Sequence, residues 1–153
     1  MQDRSTIKKA LWQACYDHVL ERITNAESAM KRADDAVLGE SKSTAGDKHD
    51  VAREMMRAER DKAEMQKGEA LRLKQFLESI STTSQSLEAK KGSLVLTNAG
   101  RFYFAISVGK IRLGSDTYVA MAPAAPLAQK FAGKKAGDTV SFNGRTYLIE
   151  EVL

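Results

Sequence analysis

The stretch that decides the fold is residues 92–121, GSLVLTNAGRFYFAISVGKIRLGSDTYVAM. Apolar and polar residues alternate in it with a period of two, and its β-branched and aromatic runs are separated by NAG and GSD. Such alternation is typical of strands that bury one face of a sheet. The stretch therefore predicts a small antiparallel β domain, which the later runs TVSF and RTYLIEEV extend.

Two further signals lie after this stretch. Asn143 and Gly144 separate TVSF from RTYL, and both residues tolerate the positive φ that a type I′ hairpin turn requires. Between Pro126 and Gly133 the run LAQKFA predicts one or two helical turns lying on the sheet.

The sequence before the β domain follows a different pattern. Up to residue 90 it contains three glycines, Gly39, Gly46 and Gly68, and no proline, as expected of long helices. Apolar residues recur there at spacings of three and four, whereas residues 39–46, GESKSTAG, are rich in turn formers. We expect one helix ending near residues 37–39 and a second beginning near Asp47, paired antiparallel as a coiled coil.

The predicted fold class is therefore α+β, with two parts. Residues 1–85 form a helical hairpin whose tip lies at about residues 39–50, here called the hairpin tip, and residues 86–153 form the β domain. A chain of 153 residues is too short for a large multidomain enzyme.

The composition of the chain bears on its cellular compartment and on the partners it could bind. The net charge of +4 permits an anionic partner without requiring one. The single cysteine, Cys15, excludes an internal disulfide, and we expect it to be buried rather than reactive. No apolar run has the length of a membrane span or a signal peptide. We expect a cytoplasmic monomer with no membrane partner.

The residue patterns of common enzyme sites are missing. Both histidines, His18 and His49, fall in the predicted hairpin, no Cys/His cluster offers four zinc ligands, and no phosphate loop of the form GxxxxGK[ST] occurs. The sequence does not predict an autonomous active site.

The hairpin tip carries the residues most suited to chemistry. Asp47 and Asp50 lie three apart at the start of the second helix and so share a face at its positive end. One interpretation is capping, with Asp47 as N-cap and Asp50 complementing the helix dipole. The other is that the two carboxylates help hold a magnesium ion in the site of another macromolecule.

A cationic stripe continues from the tip along the second helix. Its residues could contact nucleic acid phosphates or a protein partner, or could form a solvated face paired with the interleaved acidic residues. The stripe consists of Lys48, Arg53, Arg57 and Arg60.

Two motifs resemble those of the Gre-type transcript cleavage factors, which bind bacterial RNA polymerase. The first is GDKHD at residues 46–50, similar to the acidic tip pattern of that family. The second, more specific motif is PLAQKFAGKKAGD at residues 126–138, similar to its proline-led helix followed by Gly-Lys and Gly-Asp. The resemblance covers nearly the whole chain and implies an FKBP-like β domain.

The resemblance also implies a function. In that family the hairpin enters the secondary channel of the polymerase, and acids at the tip help hold a magnesium ion so that the polymerase cleaves its own backtracked transcript near the RNA 3′ end. Carried over by position, Asp47 and Asp50 are those acids, and Ala125 and Pro126 would contact the channel rim. The chain alone would bind no cofactor, because the Mg²⁺ is shared with the polymerase.

Three alternatives remain open. Asp50 stands where the family commonly has Glu, and Ala125 where it typically has Ser, so the first alternative is a relative that occupies the channel and regulates or inhibits transcription without cleavage. An FKBP-like sheet raises prolyl isomerisation, which we do not expect because the only tryptophan, Trp12, lies in the hairpin. A third class is an interaction protein that dimerises through its coiled-coil seam.

Overall fold

The chain is a long helical hairpin followed by a six-stranded β domain, which confirms the predicted α+β fold class. The computed structural model describes the backbone of residues 3–40 and 46–153 and the side chains of residues 3–39 and 50–153. The elements are α1 Arg4–Glu40, α2 Gly46–Glu78, β1 Leu94–Thr97, β2 Gly100–Phe104, β3 Gly109–Leu113, β4 Asp116–Met121, α3 Pro126–Phe131, β5 Thr139–Phe142 and β6 Arg145–Val152.

The chain forms two compact units. One comprises Met1–His18 together with Gln75–Leu153, and the other is Val19–Lys74. The outer ends of both long helices therefore belong with the β domain, and we call these the β unit and the hairpin unit. A division at residue 85 into hairpin and β domain stays a prediction.

Ion pairs fix the direction of the helices in the hairpin unit. Arg60 Nε lies 2.8 Å from Asp34 Oδ1, and Arg22 Nη2 lies 3.8 Å from Glu69 Oε2. The later residue of α2, Glu69, pairs with the earlier residue of α1, Arg22. The helices therefore run antiparallel, as predicted.

Small residues fill the seam between these helices. Ala26, Ala33 and Ala63 are all but fully buried at the predicted three- and four-residue spacing. Alanine has the highest helix propensity but contributes little apolar area. Helix propensity and the close packing of the two helices against each other therefore stabilise this unit more than a large apolar core does.

The sheet of the β unit has the order β3-β4-β2-β1-β6-β5. All neighbours are antiparallel except β2 and β4, where Phe102 to Phe104 pair in parallel with Val119 to Met121. The prediction of a wholly antiparallel sheet was wrong at this pair. β3 runs opposite to β2, and β4 runs opposite to β3, so β4 has the same direction as β2. Because β4 lies between β2 and β3 in the sheet, it pairs with β2 in parallel.

Aromatic side chains form the core between the sheet and α3. Phe131 of α3 is fully buried, with its ring centroid 5.5 Å from that of Phe102 and 5.6 Å from that of Tyr147. This confirms the short helix predicted after Pro126. The predicted turn is also confirmed, because Asn143 and Gly144 have φ of 49° and 77°.

The start of α1 contributes its own buried residues to the β unit. Cys15 is fully buried, as predicted, and burial raises the pKa of its thiol to about 11. Trp12 stacks on Tyr16 at 4.8 Å and donates from Nε1 to the carbonyl of Leu77 at 2.8 Å. Within the described ranges, no helix is long and apolar enough to cross a membrane.

Candidate functional site

The backbone at the start of α2 places both tip acids in one helix. Residues 46–50 are helical, so Asp47 and Asp50 lie three apart in its first turns and share a face. The side chains of Asp47 and Lys48 lie outside the described residues. Capping by Asp47, metal binding by Asp47 and phosphate contact by Lys48 therefore stay predictions.

Asp50 lies at an accessible groove. Its side chain is exposed and lines a space of about 410 Å³ together with Val51, Arg53, Glu54 and Arg57. Carboxylates and guanidinium groups thus alternate along two turns of α2. Such a surface can bind a cation through its acids and a phosphate through its arginines.

The donor chemistry at the tip fits a shared magnesium site. Carboxylate oxygens are the hard ligands that Mg²⁺ prefers, and Mg²⁺ is usually held by one or two carboxylates with other ligands from water or phosphate. Among the side chains that the structure describes, no three His, Cys, Asp or Glu residues are grouped closely enough to hold a metal ion. A magnesium ion shared between Asp47, Asp50 and a partner stays a prediction.

The arginines of the cationic stripe differ in their surroundings. Arg57 is exposed at the groove, and Arg53 is half-buried. Arg60 instead pairs with Asp34 at 2.8 Å and with Glu64 at 3.2 Å, and the hydrogen bond to Asp34 raises its pKa. Arg60 thus joins the two helices, and its contact with a partner stays a prediction.

Three apolar side chains near the tip were not singled out from the sequence. Leu38, Val51 and Met55 are 63%, 61% and 60% exposed. Val51 and Met55 lie four apart and so share a face of α2. For these two the sequence held an indirect signal, because Val51 and Met55 each lie one position before a half-buried residue, Ala52 and Met56, and so beside the more buried face.

The predicted rim residues lie at the start of α3. Pro126 occupies the first turn, and Ala125 is the N-cap with φ −60° and ψ 143° and no side-chain cap hydrogen bond. Proline suits this position because it has no N–H to satisfy. Pro126 is exposed and Ala125 half-buried, so a contact of this turn with a partner stays a prediction.

Comparison with solved structures finds a distant similarity. No protein-family profile matches the chain, and no curated protein sequence is similar to it. A solved structure described as that of the transcription factor Gfh1 aligns over 91% of this chain and 93% of its own, with 16% sequence identity and a TM-score of 0.36. A TM-score of this size does not establish a shared fold.

Proposed function

We propose that the chain is a transcription factor of Gre type that binds bacterial RNA polymerase and inserts its hairpin into the secondary channel. The observation that carries the proposal is the position of the two motifs. GDKHD begins the second helix of an antiparallel hairpin, and PLAQKFAGKKAGD begins with a proline-led helix of the β unit, whose Phe131 lies in the aromatic core.

The hairpin would deliver the tip to a site inside the polymerase. At about 1.5 Å per residue, the 33 residues of α2 extend roughly 50 Å, enough to reach into a deep channel. The β domain, FKBP-like in this proposal, would contact the channel rim through Ala125 and Pro126.

Asp47 and Asp50 would hold Mg²⁺ together with ligands of the polymerase. When bound, the ion would polarise water and the scissile phosphate of the transcript. The chain's own contribution is to present two carboxylates on one rigid helical face, with Arg53 and Arg57 about one and two turns beyond Asp50 to orient the RNA 3′ end. Catalysis would belong to the polymerase, so the chain is not an enzyme by itself, and prolyl isomerisation is no part of the proposal.

The exposed apolar face favours a second candidate within the same site. Val51 lines the same groove as Asp50 and shares its helix face with Met55, and an exposed apolar surface there suits occupation of the channel by contact rather than ion binding. Asp50 is also one methylene shorter than the Glu usual in the family. The alternative is a channel-binding regulator or inhibitor that does not promote cleavage.

A backtracked elongation complex of the cognate polymerase separates these functions. The readout is RNA length with wild-type protein, with Asp50→Asn and with Asp47→Asn. Each variant removes a charged oxygen ligand but retains most capping ability, because Asn is about as good an N-cap as Asp. Under the cleavage proposal we expect cleavage to fall at least about tenfold, with the free energy of unfolding unchanged within about 0.5 kcal/mol.

The matched control is Asp35→Asn, which removes the charge of another exposed aspartate in the hairpin unit. It should leave cleavage unchanged. If wild-type protein binds polymerase but never shortens the RNA, even at raised magnesium, the regulator alternative holds. If purified wild-type protein does not bind polymerase, both functions are excluded.

A further inference from the structure

A cavity of about 250 Å³ lies in the β unit. It is enclosed by one residue near the start of α1, by the segment between α2 and β1, and by Leu153. Its floor is buried and its rim is exposed. The lining residues are Lys8, Ser79, Ile80, Ser81, Ser84, Ser86, Lys90, Lys91, Gly92, Ser93 and Leu153.

The floor contains a buried positive charge. Lys8 is only 4% exposed, and among the described residues its Nζ donates one hydrogen bond, to the carbonyl oxygen of Ser84 at 3.1 Å. An ammonium group has three N–H donors. Within residues 3–39 and 50–153, no carboxylate lies within ion-pair distance of Lys8.

Leaving such a charge without a counter-ion is unfavourable. Burial lowers the pKa of Lys8, because removal from water disfavours the charged form. An anion in the cavity would favour that form and would use the remaining N–H donors. The protein thus gains from an anion at this position.

Serine hydroxyls add further donors. Ser86 Oγ accepts a hydrogen bond from the backbone N–H of Glu88 at 3.2 Å, and Ser93 Oγ accepts one from that of Lys90 at 3.0 Å. Because these oxygens already accept, their own O–H hydrogens remain to be donated. They are suited to an acceptor in the cavity.

The rim carries two more cations and no acidic side chain. Lys91 is held in place by donation from Nζ to Ser79 Oγ at 3.1 Å and by the ring of Phe76, whose centroid lies 5.3 Å from Nζ. Lys90 is exposed beside it. Neither Asp nor Glu contributes a side chain to the lining, and the three lysines outnumber the one carboxylate there, the terminal group of Leu153.

We propose that this cavity binds a small phosphate-bearing anion. Ammonium and hydroxyl groups that line one cavity with no Asp or Glu side chain match a ligand that is both charged and rich in acceptor oxygens. One water takes about 30 Å³ of liquid volume, so the cavity has room for inorganic phosphate and for a second phosphoryl group. The site does not depend on the function proposed for the tip.

Titration calorimetry of the full chain tests the site. The probes are inorganic phosphate, diphosphate and a nucleoside diphosphate at constant ionic strength, with chloride as the reference anion. We expect phosphate to bind. Tighter binding of diphosphate assigns the second phosphoryl position, and tighter binding of the nucleoside diphosphate than of diphosphate identifies a nucleotide as the source.

The decisive variant is Lys8→Met, which keeps the apolar stem and removes the charge. Its matched control is Lys9→Met, since Lys9 is the exposed neighbour on the same helix. Lys8→Met should weaken phosphate binding at least about tenfold, whereas Lys9→Met should not change it. Ser93→Ala, a smaller change, should weaken it severalfold and keeps the test decisive if Lys8→Met does not fold.

Two results would overturn the proposal. One is the absence of binding heat and of any rise in Tm for wild-type protein at millimolar phosphate. The other is equal affinity in wild type, Lys8→Met and Ser93→Ala, because the anion would then bind elsewhere on the surface.

Discussion

The hairpin unit and the β unit bury different kinds of residue. The seam of the hairpin unit is built from alanines and bordered by exposed ion pairs, whereas the β unit buries Phe102, Phe131 and Tyr147 in mutual contact. Apolar area is therefore concentrated in the β unit. The candidate functional surface therefore lies in the unit that depends less on a large apolar core. Surface residues of that unit can be replaced at little cost in the free energy of unfolding.

The largest effect should come from the aromatic core. Phe131→Ala removes a fully buried ring that contacts Phe102, Phe104 and Tyr147 and should destabilise the β unit by about 4 kcal/mol, through lost burial and the cavity left behind. Denaturant unfolding followed by tyrosine fluorescence measures it. A loss below about 1 kcal/mol would mean that this core does not dominate the β unit.

A smaller effect is expected in the seam of the hairpin unit. Ala63→Leu places a larger side chain at a buried position of the seam. The overpacking should lower the free energy of unfolding by about 2 kcal/mol. Loss of helical circular dichroism on heating reports it. The exposed neighbour Lys62 provides the control, because Lys62→Leu changes the same helix without entering the seam and should leave Tm nearly unchanged.

The smallest effect should be a gain in stability. Tyr103 is fully buried, and its hydroxyl has no hydrogen-bond partner among the described residues. Burial raises its pKa, as expected for a phenol removed from water. Tyr103→Phe keeps the ring and should stabilise the β unit by about 1 kcal/mol, seen as a higher denaturation midpoint. A destabilised variant would show that the hydroxyl has a partner after all.

Local patterns predicted the elements well because each depends on nearby residues. The period-two runs mark the strands, and Asn143 with Gly144 marks their turn. The parallel pairing of β2 with β4 was missed because alternation within a strand does not specify which strand lies beside it. The pairing of Arg60 with Asp34 joins residues 26 apart in sequence and likewise left no local trace.

Lys8 was overlooked for another reason. Together with Leu11, Cys15 and Val19 it follows the three- and four-residue spacing of a buried helical face, so periodicity alone places it inside. Because lysine is charged, however, we would expect its side chain to be exposed to solvent. At the tip, the sequence supplied the acids and arginines directly, whereas the exposure of Val51 and Met55 was signalled only by their positions beside Ala52 and Met56.

The position of β6 has a consequence for synthesis on the ribosome. Val95 of β1 pairs with Val152 of β6, which lies between β1 and β5 in the sheet. Contacts this distant in sequence slow folding, because the entropy of closing a loop of roughly 56 residues is lost before the strand pairing stabilises the fold. The hairpin helices can form as soon as they emerge from the exit tunnel, whereas the sheet must wait with an open edge on β1. Chaperones that shield nascent strands would therefore act on the β domain rather than on the hairpin.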